Sequence, residues 1–240
     1  MDLEQQIEYY DARWSNFVYA NHFSLERCLF FLETLLETGF VEPKICDLGC
    51  GAGWLCSVLS AFGPTTGVEL SPEAVKQAAL RYPMAKFEAA DATGWNPEAG
   101  NFDVVISQEV IEHIEDKQAY LRVAHQALRS GGYLLLSTPN REVLEAISPE
   151  DRKRHWEVQP VELPLNRAEL NQLLAGAGFR VVRQSSAVFG IGERGWHRVM
   201  NSAKLMGFWS ALGCGRAWRR WVLDRGYGMY LTTAAQKQGS

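Results

Sequence analysis

The chain reads as an α/β protein on a mostly parallel sheet, and three features of the sequence predict this. Short apolar, strand-like runs alternate with helical patterns through most of its length, the order that winds a parallel sheet. A Gly-rich turn, Asp47-Leu48-Gly49-Cys50-Gly51-Ala52-Gly53-Trp54, joins the strand Lys44-Ile45-Cys46 to a helix from Leu55 to Phe62. Acidic residues then fall at the ends of the following strands, at Glu69 and Asp91. With 240 residues, 47% of them hydrophobic, one well-buried domain is expected.

Residues 1–40 read as a helical cap. Ile7, Tyr10, Trp14 and Phe17 recur at helical spacing, and a second helix from about Ser24 to Thr38 ends at Gly39 as its C-cap. Tyr10 and Trp14 are the aromatics expected near a ligand. The core, 41–184, continues with a strand at 65–69 and a helix at 72–82 that Ser71 caps and Pro72 opens. Strands follow at 86–88 and at Phe102 to Ser107, separated by a connector rich in Gly and Pro. Gln108 to Asp116 then leads into a helix from Lys117 to Leu128, and Tyr133 to Ser137 is the fifth strand. A helix from Arg167 to Ala177 and a strand from Gly178 to Val182 complete the regular part. The segment 185–225 is expected to be a helical insertion, and 226–235 the last strand, beginning at Tyr227. Open α/β sheets bind ligands beyond the carboxyl ends of their strands, so Asp47, Glu69, Asp91, Gln108 and Asn140 are expected on one crevice.

The Gly spacing is neither the G-x-G-x-x-G of a dinucleotide fold nor a P-loop, since no Lys-Ser/Thr follows. Residues 48–68 carry no charge, yet Gly49, Gly51, Gly53, Gly63, Pro64 and Gly67 break any membrane-spanning helix there. The acidic, polar start Met1-Asp2-Leu3-Glu4 is unlike a signal peptide. Five cysteines without a C-x-x-C pair fit reduced thiols and a cytoplasmic setting.

The order of Asp47 to Gly53, Glu69, Asp91 and Phe102 to Glu109 resembles the class I S-adenosylmethionine-dependent methyltransferases. That resemblance implies a seven-stranded Rossmann-like sheet whose last strand is antiparallel. It implies S-adenosyl-L-methionine as cofactor and S-adenosyl-L-homocysteine as product. On it, Glu69 holds the ribose, with Leu70 beside it, and Asp91 the adenine amine, with Ala92 beside it. Gly49, Cys50, Gly51, Gly53 and Trp54 form the motif along the methionine portion, and Gln108 completes the wall. The chemistry of the groups agrees: an ionised carboxylate only accepts hydrogen bonds, which suits a ribose diol at Glu69 and an ammonium at Asp47. Alignment of nucleophile, methyl carbon and sulfur at ~3–3.5 Å for an in-line displacement is then the protein's main task. Ser137-Thr138-Pro139-Asn140-Arg141 and the last strand resemble the ubiquinone-biosynthesis O-methyltransferase branch, from which Pro139 departs.

A base is needed only where the nucleophile must lose a proton, and His113 and His155 are the candidates. Glu109, Glu112 and His113 also form a cluster similar to that of small-RNA 2′-O-methyltransferases, where a divalent metal assists. The same Glu-Val-Ile-Glu-His looks like the equivalent motif of ubiquinone-type enzymes, and the later His pair of the RNA enzymes is missing, so no metal is assigned.

Charge is uneven. Residues 194–225 carry a net charge of +6 against −10 elsewhere, and they hold four of the eight Trp. This insertion is expected to be a lid over an acceptor that is large, apolar or anionic; membrane contact and simple core cover are the other readings. Small-molecule O-methylation is the expected function. A nucleic-acid or N-methyltransferase using the basic insertion, and a non-catalytic cofactor-binding protein, are the alternatives. Overall acidity argues against a broad phosphate footprint.

Overall fold

The computed structural model describes residues 3–15, 20–148, 150, 159, 161–189 and 193–239. Two helices open the chain, α1 (Leu3–Ser15) and α2 (His22–Thr38). Asn21 caps α2 by accepting from the Ser24 N–H, and Gly39 ends it in the left-handed region. Phe17 lies outside the described residues. The core then runs β1 (Ile45–Leu48), α3 (Trp54–Leu59), β2 (Thr65–Glu69), α4 (Pro72–Arg81), β3 (Lys86–Ala89) and β4 (Phe102–Gln108). Next come a single 3₁₀ turn (Ile111–His113), α5 (Lys117–Ala127), β5 (Leu128–Pro139), α6 (Arg141–Glu145), α7 (Arg167–Gly176) and β6 (Phe179–Ala187). Three helices, α8 (Gly195–Met200), α9 (Ala203–Ala211) and α10 (Gly215–Asp224), precede β7 (Tyr230–Lys237).

Seven strands form one sheet in the order β3-β2-β1-β4-β5-β7-β6. The pairs among β1 to β5 are parallel, and β7 runs antiparallel to both β5 and β6. Period-two alternation builds the two sides of the core. Cys46, Leu48, Val105, Leu134 and Leu136 pack under α5 and α7, whereas Ile45, Val104, Ile106 and Leu135 pack under α2 and α3. Strand order reverses between β1 and β4, so a crevice opens beyond the carboxyl ends of those two strands.

Several boundaries differ from the sequence reading for long-range reasons. β1 runs on through Asp47 and Leu48, because both pair with β2 before the Gly turn begins. β6 extends to Ala187, held by β7 along its whole length. β7 starts at Tyr230 rather than Tyr227, since the backbone just before it is taken by side chains. Asn140 Nδ2 donates to the carbonyls of Gly226 (2.8 Å) and Gly228 (3.1 Å), and the Gly228 N–H donates to Ser186 Oγ. Asn140 therefore anchors the entry to β7 and caps α6, which corrects its expected place on the crevice. Among the described residues no helix is long and apolar enough to cross a membrane.

Candidate active site

The Gly turn is held from below by the end of β2. The N–H groups of Gly49 (2.8 Å) and Cys50 (2.9 Å) both donate to the Val68 carbonyl. The next N–H, of Gly51, donates to Glu69 Oε2 at 2.9 Å, and the Ser71 N–H donates to Glu69 Oε1 at 3.2 Å. Glu69 is buried, and burial pushes its carboxyl above the usual carboxylate range against the lowering effect of these N–H donors. Gly51 has φ +53°, and a Cβ there would stand 2.7 Å from the Trp14 ring, so only glycine lets α1 close over the turn.

These pieces border a cleft of about 660 Å³. Tyr10, Trp14, Asp47, Gly49, Cys50, Gly51, Trp54, Glu69, Leu70, Asp91, Ala92, Gln108 and His113 all line it, together with Glu109 and Glu112. Gly53 does not: its α-carbon faces Ala78 and the Phe87 ring, which would crowd a Cβ at 2.8 Å, so its place in the motif is packing of α3 on the sheet. His155 lies outside the described residues. None of the described residues 193–225 lines the cleft, which corrects the expected lid at these positions. Of the insertion, α10 is held on the end of β6 through Ser185 and Ser186, and residues of α1 and α2 line the cleft.

Asp47 is buried at the tip of β1, where the Cys56 thiol donates to its Oδ2 at 3.3 Å. Burial pushes its carboxyl up to about 7, opposed by the Cys56 hydrogen bond and reinforced by Glu69. Asp91 closes an Asx-type turn, accepting from the Thr93 N–H (2.8 Å) and hydroxyl (2.9 Å). From above, the Asp11 carboxylate accepts from the Ser71 hydroxyl, and Tyr10 donates to Gln159 Oε1 at 3.3 Å. Burial, with Glu69 second, raises the Tyr10 phenol above its usual value.

The other end of the cleft is built from α2, the loop after β4 and the start of β7. Gln108 Nε2 donates to the Ser24 carbonyl (3.1 Å), tying β4 to α2. Arg27, 6% exposed, stacks over the Tyr230 ring at 4.1 Å and stands 3.7 Å from Glu109 Oε1. Its Nη2 donates to Ser24 Oγ, while its Nε and Nη1 have no hydrogen-bond acceptor among the described residues. Glu109 sits at φ +59°, an uncommon backbone state for a non-glycine residue and one found at functional loops. The Ser137 hydroxyl donates to its carboxylate, and that of Thr138 to Glu112. Burial pushes both carboxyls up; Arg27 and the Ser137 hydroxyl oppose it at Glu109, whereas the Glu109 charge adds to it at Glu112.

His113 Nδ1 lies 2.7 Å from the Val161 carbonyl, which fixes the proton on Nδ1 and turns Nε2 toward Glu112 Oε1 at 3.7 Å. Burial lowers its pKa to about 4, so the ring is neutral near pH 7. Among the described residues no group of three His, Cys, Asp or Glu side chains is arranged to hold a metal ion.

Arg27, Ser24, Phe23 and Tyr230 were missed by sequence reasoning. One signal was present, a lone cation inside the apolar run Arg27-Cys28-Leu29-Phe30-Phe31, whereas Tyr230 carries none before the last strand is docked.

A family model described as a methyltransferase domain matches residues 20–184. The ubiquinone biosynthesis O-methyltransferase of Psychrobacter arcticus is 36% identical over 117 residues, 44% of this chain and 44% of that protein. The match thus spans less than half the length of that relative. Among solved structures, the methyltransferase in a complex with the Haloferax volcanii Trm112 methyltransferase activator superposes with a TM-score of 0.66 at 16% identity, covering 100% of this chain and 99% of that one. An S-adenosylmethionine-dependent methyltransferase from Mesorhizobium loti gives 0.59 at 20% identity over 85% of this chain and 96% of that one. At such identities these likenesses concern the fold. With the family model covering most of the chain and the glycine turn, Glu69 and Asp91 brought together, the chain belongs to the class I S-adenosylmethionine-dependent methyltransferase family.

Proposed function

We propose that the chain methylates a hydroxyl of a small-molecule acceptor, with S-adenosyl-L-methionine as the donor. The observation that carries this reading is the cleft itself. One end offers three carboxylates, of Asp47, Glu69 and Asp91, around a glycine-rich turn, and the other a buried guanidinium whose Nε and Nη1 have no hydrogen-bond acceptor among the described residues. The donor set fits the cofactor. Glu69 keeps lone pairs beyond the two N–H bonds for a ribose diol, Asp91 suits the adenine amine, and Asp47, poised near neutrality by burial, suits an ammonium. When bound, the cofactor supplies a methyl group on a sulfonium, already an electrophile with a good leaving group.

What remains for this chain is to hold the acceptor and manage its proton. Arg27 donates to the acceptor oxygen, and its positive charge favours the oxyanion form. His113 presents its Nε2 lone pair to the same end of the cleft, neutral but weakly basic after burial. Oxygen rather than nitrogen is favoured because a guanidinium faces the acceptor, and the 36% identity to an O-methyltransferase supports the same choice. The experiment is isothermal calorimetry with S-adenosyl-L-homocysteine, followed by transfer of labelled methyl to 4-methylcatechol and to benzylamine. Cofactor binding with transfer to the catechol is expected. Transfer to the amine alone would overturn the O-reading, and absence of cofactor binding would overturn the whole assignment.

A further inference from the structure

We propose that the α9–α10 hairpin docks the protein on an anionic membrane surface. A helix in a folded protein normally buries a stripe, yet α9 buries none of its residues although its sequence, Ala203-Lys-Leu-Met-Gly-Phe-Trp-Ser-Ala211, is largely apolar. Its outward side carries Phe208 (56% exposed), followed one turn later by Leu212 (57%). A row of rings crosses from α9 to α10: Phe208 to Trp209 at 5.5 Å, Trp209 to Trp218 at 5.4 Å and Trp218 to Trp221 at 5.3 Å. It ends on Trp221, 41% exposed. A contiguous exposed apolar surface of this kind marks an interaction site.

Charge selects the occupant. Lys204, Arg216 and Arg220 are exposed around this surface, while Arg219 is turned inward to Glu26 at 2.7 Å. The acid on these two helices, Asp224, accepts from Ser185 Oγ at 2.7 Å beside β6. The hairpin is thus a cationic, Trp-bearing patch on a chain that is otherwise strongly negative, which orients it toward an anionic bilayer. A second copy is disfavoured because a two-fold contact would gather two sets of Lys204, Arg216 and Arg220 into one interface. Stacking of single-stranded bases is disfavoured because Trp209, Trp218 and Trp221 already stack on one another. The exposed Leu25, Leu29 and Leu36 of α2 stand beside Glu33 and Glu37, so they lack this complementarity.

The patch also lies where contact would serve the cleft. The Arg219–Glu26 pair joins α10 to α2 one residue before Arg27, and β7 enters the sheet from this hairpin at Tyr230. An apolar acceptor dissolved in the bilayer would be presented beside the acceptor end.

The test is co-sedimentation of the full chain with sucrose-loaded vesicles of phosphatidylcholine alone, or with three-tenths phosphatidylglycerol. Binding is expected only with phosphatidylglycerol, weakening with salt. A surface cation contributes about fivefold in partitioning, so R216E/R220E should lose at least about twentyfold. F208S/L212S should also release the protein, both variants keeping the wild-type melting temperature. Absence of binding to either vesicle, or undiminished binding by R216E/R220E, would overturn the proposal. So would a solution dimer broken by F208S/L212S. Tight binding of an RNA oligomer without vesicle binding would reassign the patch to nucleic acid.

Discussion

The Gly51 N–H donates to the carboxylate of Glu69, so the turn after β1 and the acid ending β2 form one hydrogen-bonded unit. The acid proposed to hold a ribose therefore also shapes the turn proposed to carry the methionine portion. Neither is set independently of the other.

This relation separates two substitutions at Glu69. Glu69→Gln keeps one of the two acceptor oxygens while removing the charge, and should weaken S-adenosyl-L-homocysteine binding by ~1.5–3 kcal/mol, about ten- to a hundredfold, with a smaller loss of stability than Ala because only one of the Gly51 and Ser71 N–H groups loses its acceptor. Glu69→Ala should weaken binding likewise and lower stability more, because the Gly51 and Ser71 N–H groups both lose their partner at roughly 1–3 kcal/mol each. Calorimetry and thermal melts distinguish the two; unchanged affinity in both variants would remove Glu69 from the site.

Asp47 gives a pH dependence. With its carboxyl pushed up to about 7, the folded chain keeps a proton that the unfolded chain gives up. Its contribution to stability should therefore fall as pH rises from the ordinary carboxylate range to about 7 and then level off. Binding of the cofactor's ammonium favours the ionised form, so affinity should rise over the same window, with protons released on binding within it. Asp47→Asn should flatten the affinity profile. Calorimetry in two buffers of different ionisation enthalpy reads the proton release, and a flat wild-type profile would contradict the pairing.

Arg27 should govern the acceptor and not the cofactor. Arg27→Lys retains charge but loses the planar donor fork, and should raise KM for 4-methylcatechol about tenfold or more while cofactor affinity stays unchanged. An equal loss of cofactor affinity would place Arg27 in general support of the cleft. Arg27→Gln should in addition lower stability, because Glu109 then lacks its nearby cation.

His113 should show a smaller effect than an unperturbed imidazole base would. The pKa of about 4 leaves the ring neutral but weakly basic, so no rate limb from it is expected between pH 6 and 8. Neutral in the fold and charged when unfolded, it should cost stability as pH falls from about 6.5 toward 4. His113→Ala should cut turnover and also loosen the Val161 loop that it holds at 2.7 Å. A pH–rate limb near 6.5 that vanishes in His113→Ala would show a stronger base than this geometry gives.

The α/β class, the parallel core and the row of acids at strand ends were legible in the sequence because each rests on neighbours along the chain. Short apolar runs at β1, β4 and β5, a Ser-Pro cap on α4 and a Gly-rich turn beside an Asp are local patterns, and local sterics and hydrogen bonding enforce them. Those patterns, with the strand-end rule, were enough to place Asp47, Glu69, Asp91 and Gln108 on one crevice. Only the tertiary structure decided what closes that crevice and what lines its other end. Arg27 and Tyr230 lie near opposite ends of the chain and meet only when β7 slots between β5 and β6. The same docking takes Asn140 away from the cleft, because two carbonyls before β7 need its amide. It also leaves the Trp-rich segment beside the cleft instead of over it, since α10 is tied to β6 by Ser185 and Ser186. Such long-range pairings are selected by the packing of the whole sheet, and no window of sequence contains both partners.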